Sequence, residues 1–213
     1  MSNPTTPAPS PHRPAEPGPR PARRTWDARS LALVSVFAAF IAVSAIVPGI
    51  PVGSFGVPIT LQTFAIMLTG LALGGARAAA AVALYLVLAF AGLPIFSGGR
   101  AGLQVMASGS AGYIVGFVLA AFLVGIAAEQ IIKRLPAKRR ALWFFLAAAV
   151  VTVIASHLPG VLGMMLNLKL SWQAAFAADL VFYPGDLLKD AVAAIAAVAV
   201  HRAFPDVLVR RVK

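Results

Sequence analysis

The sequence predicts an all-α integral membrane protein built as a bundle of six transmembrane helices. Three observations predict this class: a high apolar content, long apolar segments, and positive charges clustered between those segments. Hydrophobic residues make up 60% of the 213 residues and charged residues only 12%, whereas a soluble domain is typically about 45–50% apolar and about 25% charged. The mean hydropathy is +0.86. A soluble fold of this length could not bury so much apolar surface, so lipid must solvate much of it.

The first 25 residues differ from the rest of the chain. They are rich in proline, serine and arginine and show no apolar periodicity, so they cannot bury enough surface to offset the entropy cost of ordering. We predict a disordered cytoplasmic tail over 1–25, a membrane domain over 26–208 and a basic tail over 209–213. The apolar segment that follows the first tail is longer than the core of a signal peptide, so we expect it to stay uncleaved.

Apolar segments of about 20 residues are long enough to cross about 30 Å of hydrocarbon. Four segments qualify readily, but the apolar region 59–92 is too long for one crossing. The tetrapeptide "GGAR" at 74–77 divides that region into two shorter pieces, so length alone leaves five or six spans open. The six-span division is 30–47, 59–73, 76–92, 110–132, 141–166 and 186–204.

The distribution of positive charge decides in favour of six spans. With both termini in the cytoplasm, six spans place all but three of the 18 Lys and Arg residues inside, as the positive-inside bias requires. A five-span chain would put "KRLPAKRR" (133–140) outside. The net charge of +11 therefore follows membrane topology and does not indicate a nucleic-acid partner. The three basic residues left for the outer face are Arg100, Lys169 and Lys189.

Two outer connections are rich in glycine and proline. The first, "VPGIPVGSFGVPITLQT" (47–63), has prolines and glycines that forbid a regular helix, yet it also carries apolar residues such as Phe55. We predict an ordered extracellular lid over a cavity; a compact cap without a ligand is the alternative. The second connection carries Arg100, which suits bidentate recognition of a carboxylate or anchors the loop to lipid headgroups. Gly112 and Gly116, just beyond it, predict close helix packing.

The third outer connection contains "YPGDLLKD" (183–190). Asp186 is predicted to cap the last helix, with Lys189 one turn along the same face and Asp190 favouring the helix N-terminus. Capping alone would explain these charges. The alternative is that they face a polar cavity, because ionisable groups within a membrane usually serve a function. With Arg100 and nearby aromatic side chains, they suit a small, largely apolar ligand that has an acid group and a polar head.

Several motifs resemble one family. The block "VPITLQTFAIMLTGLALGGARAAAAVALYLVLAFAGLPIFSGG", then "GSAGYIVGF" and "PGDLLKD", is similar to the BioY family, the biotin-specific substrate-capture (S) components of energy-coupling-factor (ECF) transporters. The resemblance covers about residues 30–204. One departure is "GSAGY", where the family usually has "GPTGGY".

The resemblance implies a six-helix bundle with an outward-facing biotin pocket, covered by the first long loop. It implies that Asp186 and Lys189 contact biotin: a carboxylate can accept from the ureido N–H groups, and either Lys189 or Arg100 can bind the valerate carboxylate. The other candidate binding residues are Tyr113, Phe55, Thr60 and Gln62. No metal or cofactor is expected.

The resemblance also implies partners in the cytoplasmic membrane. These are a transmembrane coupling subunit and two ATPase subunits on separate chains, since no Walker A pattern occurs in this sequence. Ala38 and Ala42 in "FAAFIA" have the spacing for docking on the coupling subunit, although internal packing explains the same spacing.

Two other functions compete with this one. An S component or permease for another small vitamin or organic acid would share nearly all these features. An intramembrane serine hydrolase would need His157 to meet Ser108 or Ser110, but "ASGSAG" does not form G-x-S-x-G. We expect His157 to be a hydrogen-bonded packing residue whose loss leaves ligand binding largely intact.

Overall fold

The computed structural model describes residues 26–52 and 56–209. The predicted disordered tail, the last residues of the basic tail and Phe55 lie outside these ranges. The described chain is helical, with six principal helices, in agreement with the all-α prediction. They are α1 (Ala28–Ile46), α2 (Gln62–Leu73), α3 (Gly75–Phe90), α4 (Ala111–Arg134), α5 (Ala137–Leu168) and α7 (Tyr183–Ala203), with two shorter helices, α6 (Trp172–Asp179) and α8 (Asp206–Val209).

Three helices of the described chain are long and apolar enough to cross a membrane: α1, α4 and α5. Helices α2 and α3 are apolar but shorter. Helix α7 has 21 residues and carries two buried carboxylates, Asp186 and Asp190. The bundle therefore combines three long apolar helices with three that are shorter or charged.

Helix α1 begins and ends where local sequence rules place it. The Asp27 side chain accepts a hydrogen bond from the Ser30 amide at 2.8 Å and so caps the N-terminus. The helix stops at Ile46, shortly before Pro48, since the residue before a proline disfavours helical geometry. Val34, Ala38 and Ile41 form part of its buried face.

The break between α2 and α3 occurs at a single residue, Gly74. Its φ of 79° lies in the region that favours glycine. The first amide of α3, Gly75 N, donates to Glu129 Oε1 of α4 at 3.0 Å. A side chain from a distant helix thus caps α3, in addition to the glycine break that the sequence predicts.

Replacing Glu129 with alanine is expected to lower the melting temperature of the detergent-solubilised protein by a few degrees. The change leaves the α3 N-terminus without its acceptor, and loss of a helix cap typically costs about 1 kcal/mol. Glu129→Gln is the matched control, because its amide oxygen can still accept from Gly75. Equal melting temperatures for the alanine variant and the unmodified protein would contradict a capping role.

Helices α4 and α5 pack closely through glycine. A Cβ on Gly112 would lie 1.8 Å from the Pro159 carbonyl oxygen, and one on Gly116 would lie 2.0 Å from the Ala155 carbonyl oxygen. Only glycine leaves room for these backbone approaches. The helix-packing interpretation of this glycine pair is therefore correct.

Helix α5 is a continuous run of 32 residues that contains one irregular turn. The segment Val153–His157 is a π-helix, between α-helical stretches at Ala137–Thr152 and Leu158–Leu168. Pro159 follows this turn and cannot donate to the carbonyl of Ala155, four residues earlier. A widened turn accommodates that proline, and such turns often occur at functional sites.

The chain between α5 and α7 is more ordered than the sequence indicates. Helix α6 continues through a 3₁₀ turn, Leu180–Phe182, directly into α7. Consequently α7 begins at Tyr183, three residues before the predicted start at 186. Its second residue is Pro184, at a position where a missing N–H costs nothing.

Candidate functional site

A pocket lies at the end of the bundle where α2, α4 and α7 begin. The space between its lining atoms is about 570 Å³, part of it open to solvent. Its apolar lining residues are Val57, Pro58, Ile59, Phe96, Tyr113, Ile114, Phe117 and Phe182. Its polar and charged lining residues are Thr60, Gln62, Thr63, Ser97, Arg100, Ser110, Asp186 and Lys189. Every predicted substrate-contact residue within the described ranges thus lines one pocket.

Asp186 and Lys189 form a buried ion pair on one wall. Lys189 Nζ lies 2.8 Å from Asp186 Oδ1, and Thr63 Oγ1 of α2 donates to the same oxygen at 2.8 Å. The Asp186 side chain is 8% exposed and the Lys189 side chain 14% exposed. The helical i, i+3 spacing brings the two charges together, and Thr63 fixes the carboxylate from across the bundle.

The predicted capping role of Asp186 and the predicted N-terminal role of Asp190 are wrong. No described side chain caps the α7 N-terminus; Asp186 lies inside the first turn with its carboxylate directed to other side chains, and Asp190 lies beyond that turn. Asp190 is 1% exposed and its Oδ1 accepts from Thr152 Oγ1 of α5 at 3.3 Å. Both errors follow from placing the helix start three residues too late.

Arg100, in the chain between α3 and α4, also lines the pocket and is held by neutral groups. Its Nε donates to the Ser97 carbonyl at 3.0 Å and its Nη2 to Ser110 Oγ at 3.3 Å. Gly98 and Gly99 have φ of 73° and 71° with open space around them. They therefore shape this turn through their φ angles and not through a close backbone approach. No carboxylate in the described chain forms an ion pair with Arg100.

Thr60 and Gln62 line the pocket at the start of α2. The Gln62 amide nitrogen donates to Tyr85 OH at 2.9 Å, and Tyr85 OH donates to the Ile95 carbonyl at 3.2 Å. Thr60 Oγ1 accepts from the Gln62 backbone amide at 3.3 Å. These bonds tie the lining residues to α3 and to the loop after it.

The loop between α1 and α2 contributes lining residues from its second half, residues 57–60. Ile50 and Ile59 pair by two backbone hydrogen bonds of 2.9 Å, so the two described ends of the loop run side by side. Gly49 lies against this pair, where a Cβ would be 2.8 Å from the Ile59 carbonyl oxygen. Phe55, the predicted aromatic contact, lies outside the described ranges.

A chain of contacts between polar side chains lies next to the pocket, and the sequence did not predict it. His157 Nδ1 lies 2.8 Å from Asp179 Oδ1, and His157 Nε2 lies 3.5 Å from Asp186 Oδ2. Tyr113 OH also donates to Asp179 Oδ1. The His157 ring stacks on Tyr183 at a centroid distance of 4.2 Å. One feature of the sequence could have indicated these contacts: Asp179, like His157, is an ionisable residue in an apolar stretch.

These contacts do not support a serine hydrolase. Both nitrogens of His157 face carboxylates. Ser108 Oγ donates to the Val105 carbonyl, and Ser110 Oγ accepts from Arg100. Neither serine forms a hydrogen bond to the imidazole among the contacts of the described residues, so the Ser–His pair required for that chemistry is not assembled.

The predicted docking alanines do not share one exposed face. Ala38 is 3% exposed and belongs to the core, whereas Ala42 is half-buried and packs against it. Internal packing therefore explains Ala38. The exposed small residues on α1 include Ser35 and Ala39, which have the same four-residue spacing.

Comparison with known proteins places the chain in a family. A family model described as "BioY family" matches residues 20–206. A biotin transporter BioY of Rhizobium etli is 36% identical over 178 residues, covering 83% of this chain and 95% of the relative. A biotin transporter BioY of Rhodobacter capsulatus is 37% identical over 192 residues, covering 86% of this chain and 98% of the relative.

The fold has a solved counterpart. The crystal structure of the S-component for biotin from an ECF-type ABC transporter matches with a TM-score of 0.76 and 26% identity. The match covers 82% of this chain and 91% of that one. The resemblance noted in the motifs is confirmed on sequence and on fold, and the chain belongs to the BioY family.

Proposed function

We propose that this protein binds biotin in the pocket and serves as the substrate-specific S component of an ECF-type transporter. The names of its relatives and of its structural counterpart support this function. The observation that carries the proposal is the arrangement of charge around a largely apolar pocket. Its lining includes a carboxylate paired with Lys189 and the Arg100 cation, which pairs with no described carboxylate.

This arrangement matches the chemistry of biotin. The ureido N–H groups are donors that the Asp186 carboxylate can accept, and the apolar walls suit the bicyclic rings and aliphatic chain. The charge of Lys189 is already balanced by Asp186. Arg100 has no such partner among the described carboxylates, so we assign it to the biotin carboxylate, where a planar guanidinium can bind both oxygens.

The transport role also suggests functions for the loop between α1 and α2, the chain termini and the surface of α1. We propose that the loop 47–61 is an extracellular lid and that both termini are cytoplasmic, because the basic "KRLPAKRR" segment then lies inside. The chain would sit in the cytoplasmic membrane as a multi-pass protein. It would dock on a transmembrane coupling subunit through an exposed face of α1, while two ATPase subunits on separate chains hydrolyse ATP. It is a transporter component and not an enzyme.

Titration calorimetry of the purified protein with biotin, thiamine and riboflavin tests the function. We expect saturable one-to-one binding of biotin and no measurable binding of the other two vitamins at the same concentrations. Tighter binding of thiamine or riboflavin would support an S component for another vitamin and overturn the biotin assignment. Arg100→Gln should weaken biotin binding while leaving binding of uncharged biotin methyl ester nearly unchanged.

A further inference from the structure

We propose that Asp179 and His157, neither of which lines the pocket, are positioning residues that hold Asp186 and Tyr113 in place for the ligand. The inference rests on the proposed function, since it concerns the same site. It departs from the sequence-based expectation that His157 only packs. Two pocket-lining side chains, on α4 and α7, are joined through these two residues on α5 and α6.

The two carboxylate oxygens of Asp186 have different neighbours. Oδ1 accepts from Thr63 and Lys189, both at 2.8 Å. Oδ2 forms no hydrogen bond among the described residues, but His157 Nε2 lies 3.5 Å away, within ion-pair distance. Hydrogen bonds hold Oδ1, and the imidazole beside Oδ2 favours one orientation of the carboxylate plane. Because each oxygen can accept two hydrogen bonds, Oδ2 retains capacity for a donor from the ligand.

Asp179 is completely buried. Its Oδ1 accepts from Tyr113 OH and lies 2.8 Å from His157 Nδ1. One oxygen thus orients an aromatic lining residue and the imidazole that contacts Asp186. A carboxylate commonly fixes the orientation of a histidine in this way. The ring donates to both Asp179 and Asp186 only when both of its nitrogens carry a hydrogen.

The packing around His157 allows this geometry. The π-helical turn Val153–His157 sets the direction of His157 from α5. Tyr183 stacks on the ring at an interplanar angle of 22°. Gly160, one turn further along, leaves room for the Tyr113 ring, where a Cβ would approach to 2.3 Å. The rings of Tyr113, His157 and Tyr183 therefore pack against one another in this order.

The test is a set of variants measured for biotin affinity by calorimetry and for apo-protein stability by thermal unfolding. His157→Leu removes the hydrogen-bonding nitrogens at similar size, whereas His157→Gln keeps an amide N–H that can reach Asp186. We expect the leucine variant to bind biotin at least ten-fold more weakly and the glutamine variant to recover most of that loss. Asp179→Asn should weaken binding several-fold. Ser156→Ala is the control, since Ser156 is buried on the same turn with an unpartnered hydroxyl.

Several outcomes would overturn the proposal. Unchanged affinity in a folded His157→Leu variant would show that the imidazole does not position Asp186. Equal losses in the leucine and glutamine variants would show that ring packing, and not hydrogen bonding, accounts for the effect. If the leucine variant does not fold, unchanged affinity in both His157→Gln and Asp179→Asn would overturn the proposal, and selective loss in Asp179→Asn would support it. Absence of biotin binding in the unmodified protein would instead contradict the proposed function.

Discussion

Replacing Asp186 by asparagine is expected to weaken biotin binding by about 100-fold. The substitution keeps the shape of the side chain but removes the charge that balances Lys189, 2.8 Å away. It also replaces one acceptor oxygen by a donor, which cannot accept a ureido N–H. Truncating one partner of a buried charge pair at a binding site costs about 2–5 kcal/mol, and a 100-fold loss corresponds to about 2.7 kcal/mol.

The matched control for Asp186 is Asp190→Asn, one helical turn further along α7. Asp190 is also buried, and its carboxylate contacts Thr152, but it does not line the pocket. We expect its replacement to change biotin affinity less than three-fold. Calorimetry compares the biotin affinity of the two variants. Expression level and melting temperature show whether each variant is folded. Unchanged biotin affinity in Asp186→Asn would show that the carboxylate does not contact the ligand.

Replacing Gly112 by alanine is expected to disrupt the packing of α4 on α5. The added methyl would lie 1.8 Å from the Pro159 carbonyl oxygen and 2.6 Å from its carbonyl carbon. Both are backbone atoms, so the helices must separate. Overpacking of this kind typically costs about 1–3 kcal/mol, occasionally more. We therefore expect a melting temperature lower by about 5 °C or more, with weaker biotin binding because Tyr113 is the adjacent residue.

Gly185→Ala is the matched control for this packing effect. Gly185 lies in the first turn of α7, and the nearest side-chain atom to an added Cβ is 4.0 Å away, on Ile59. Alanine should be tolerated there, and its higher helix propensity should leave the melting temperature unchanged or slightly raised. Thermal unfolding of both variants in detergent tests the difference. If both melt at the temperature of the unmodified protein, α4 and α5 do not approach as closely as described.

The sequence predicted features that depend on local spacing or on long motif blocks. The Asp186–Lys189 contact follows from helical periodicity, and the Gly112–Gly116 contact from the small-residue pattern. The motif blocks indicated the family before any fold was considered. Each of these signals lies within a short stretch of chain or an uninterrupted motif.

Contacts between distant segments could not be predicted in the same way. His157 and Asp186 are 29 positions apart and meet only because α6 leads without a loop into α7. Glu129, which accepts a hydrogen bond from the Gly75 amide, lies 54 positions after Gly75 in the sequence. The predicted start of the last helix at 186 led to the wrong role for Asp186, since Pro184 and Gly185 belong to the first turn of α7. Such errors arise where helix boundaries are set by tertiary packing.

The shortness of α2 has a consequence for the depth of the binding site. Twelve residues extend about 18 Å, some 12 Å less than the hydrocarbon thickness of about 30 Å. Gly75, next to the far end of α2, contacts Glu129 in the last two turns of α4, so the shortfall falls at the end where Gln62 and Thr63 line the pocket. In the proposed topology, these two residues would lie below the outer surface of the bilayer. A ligand must shed bulk water before it meets Asp186, and each hydrogen bond that it forms there is strengthened by the low-dielectric surroundings.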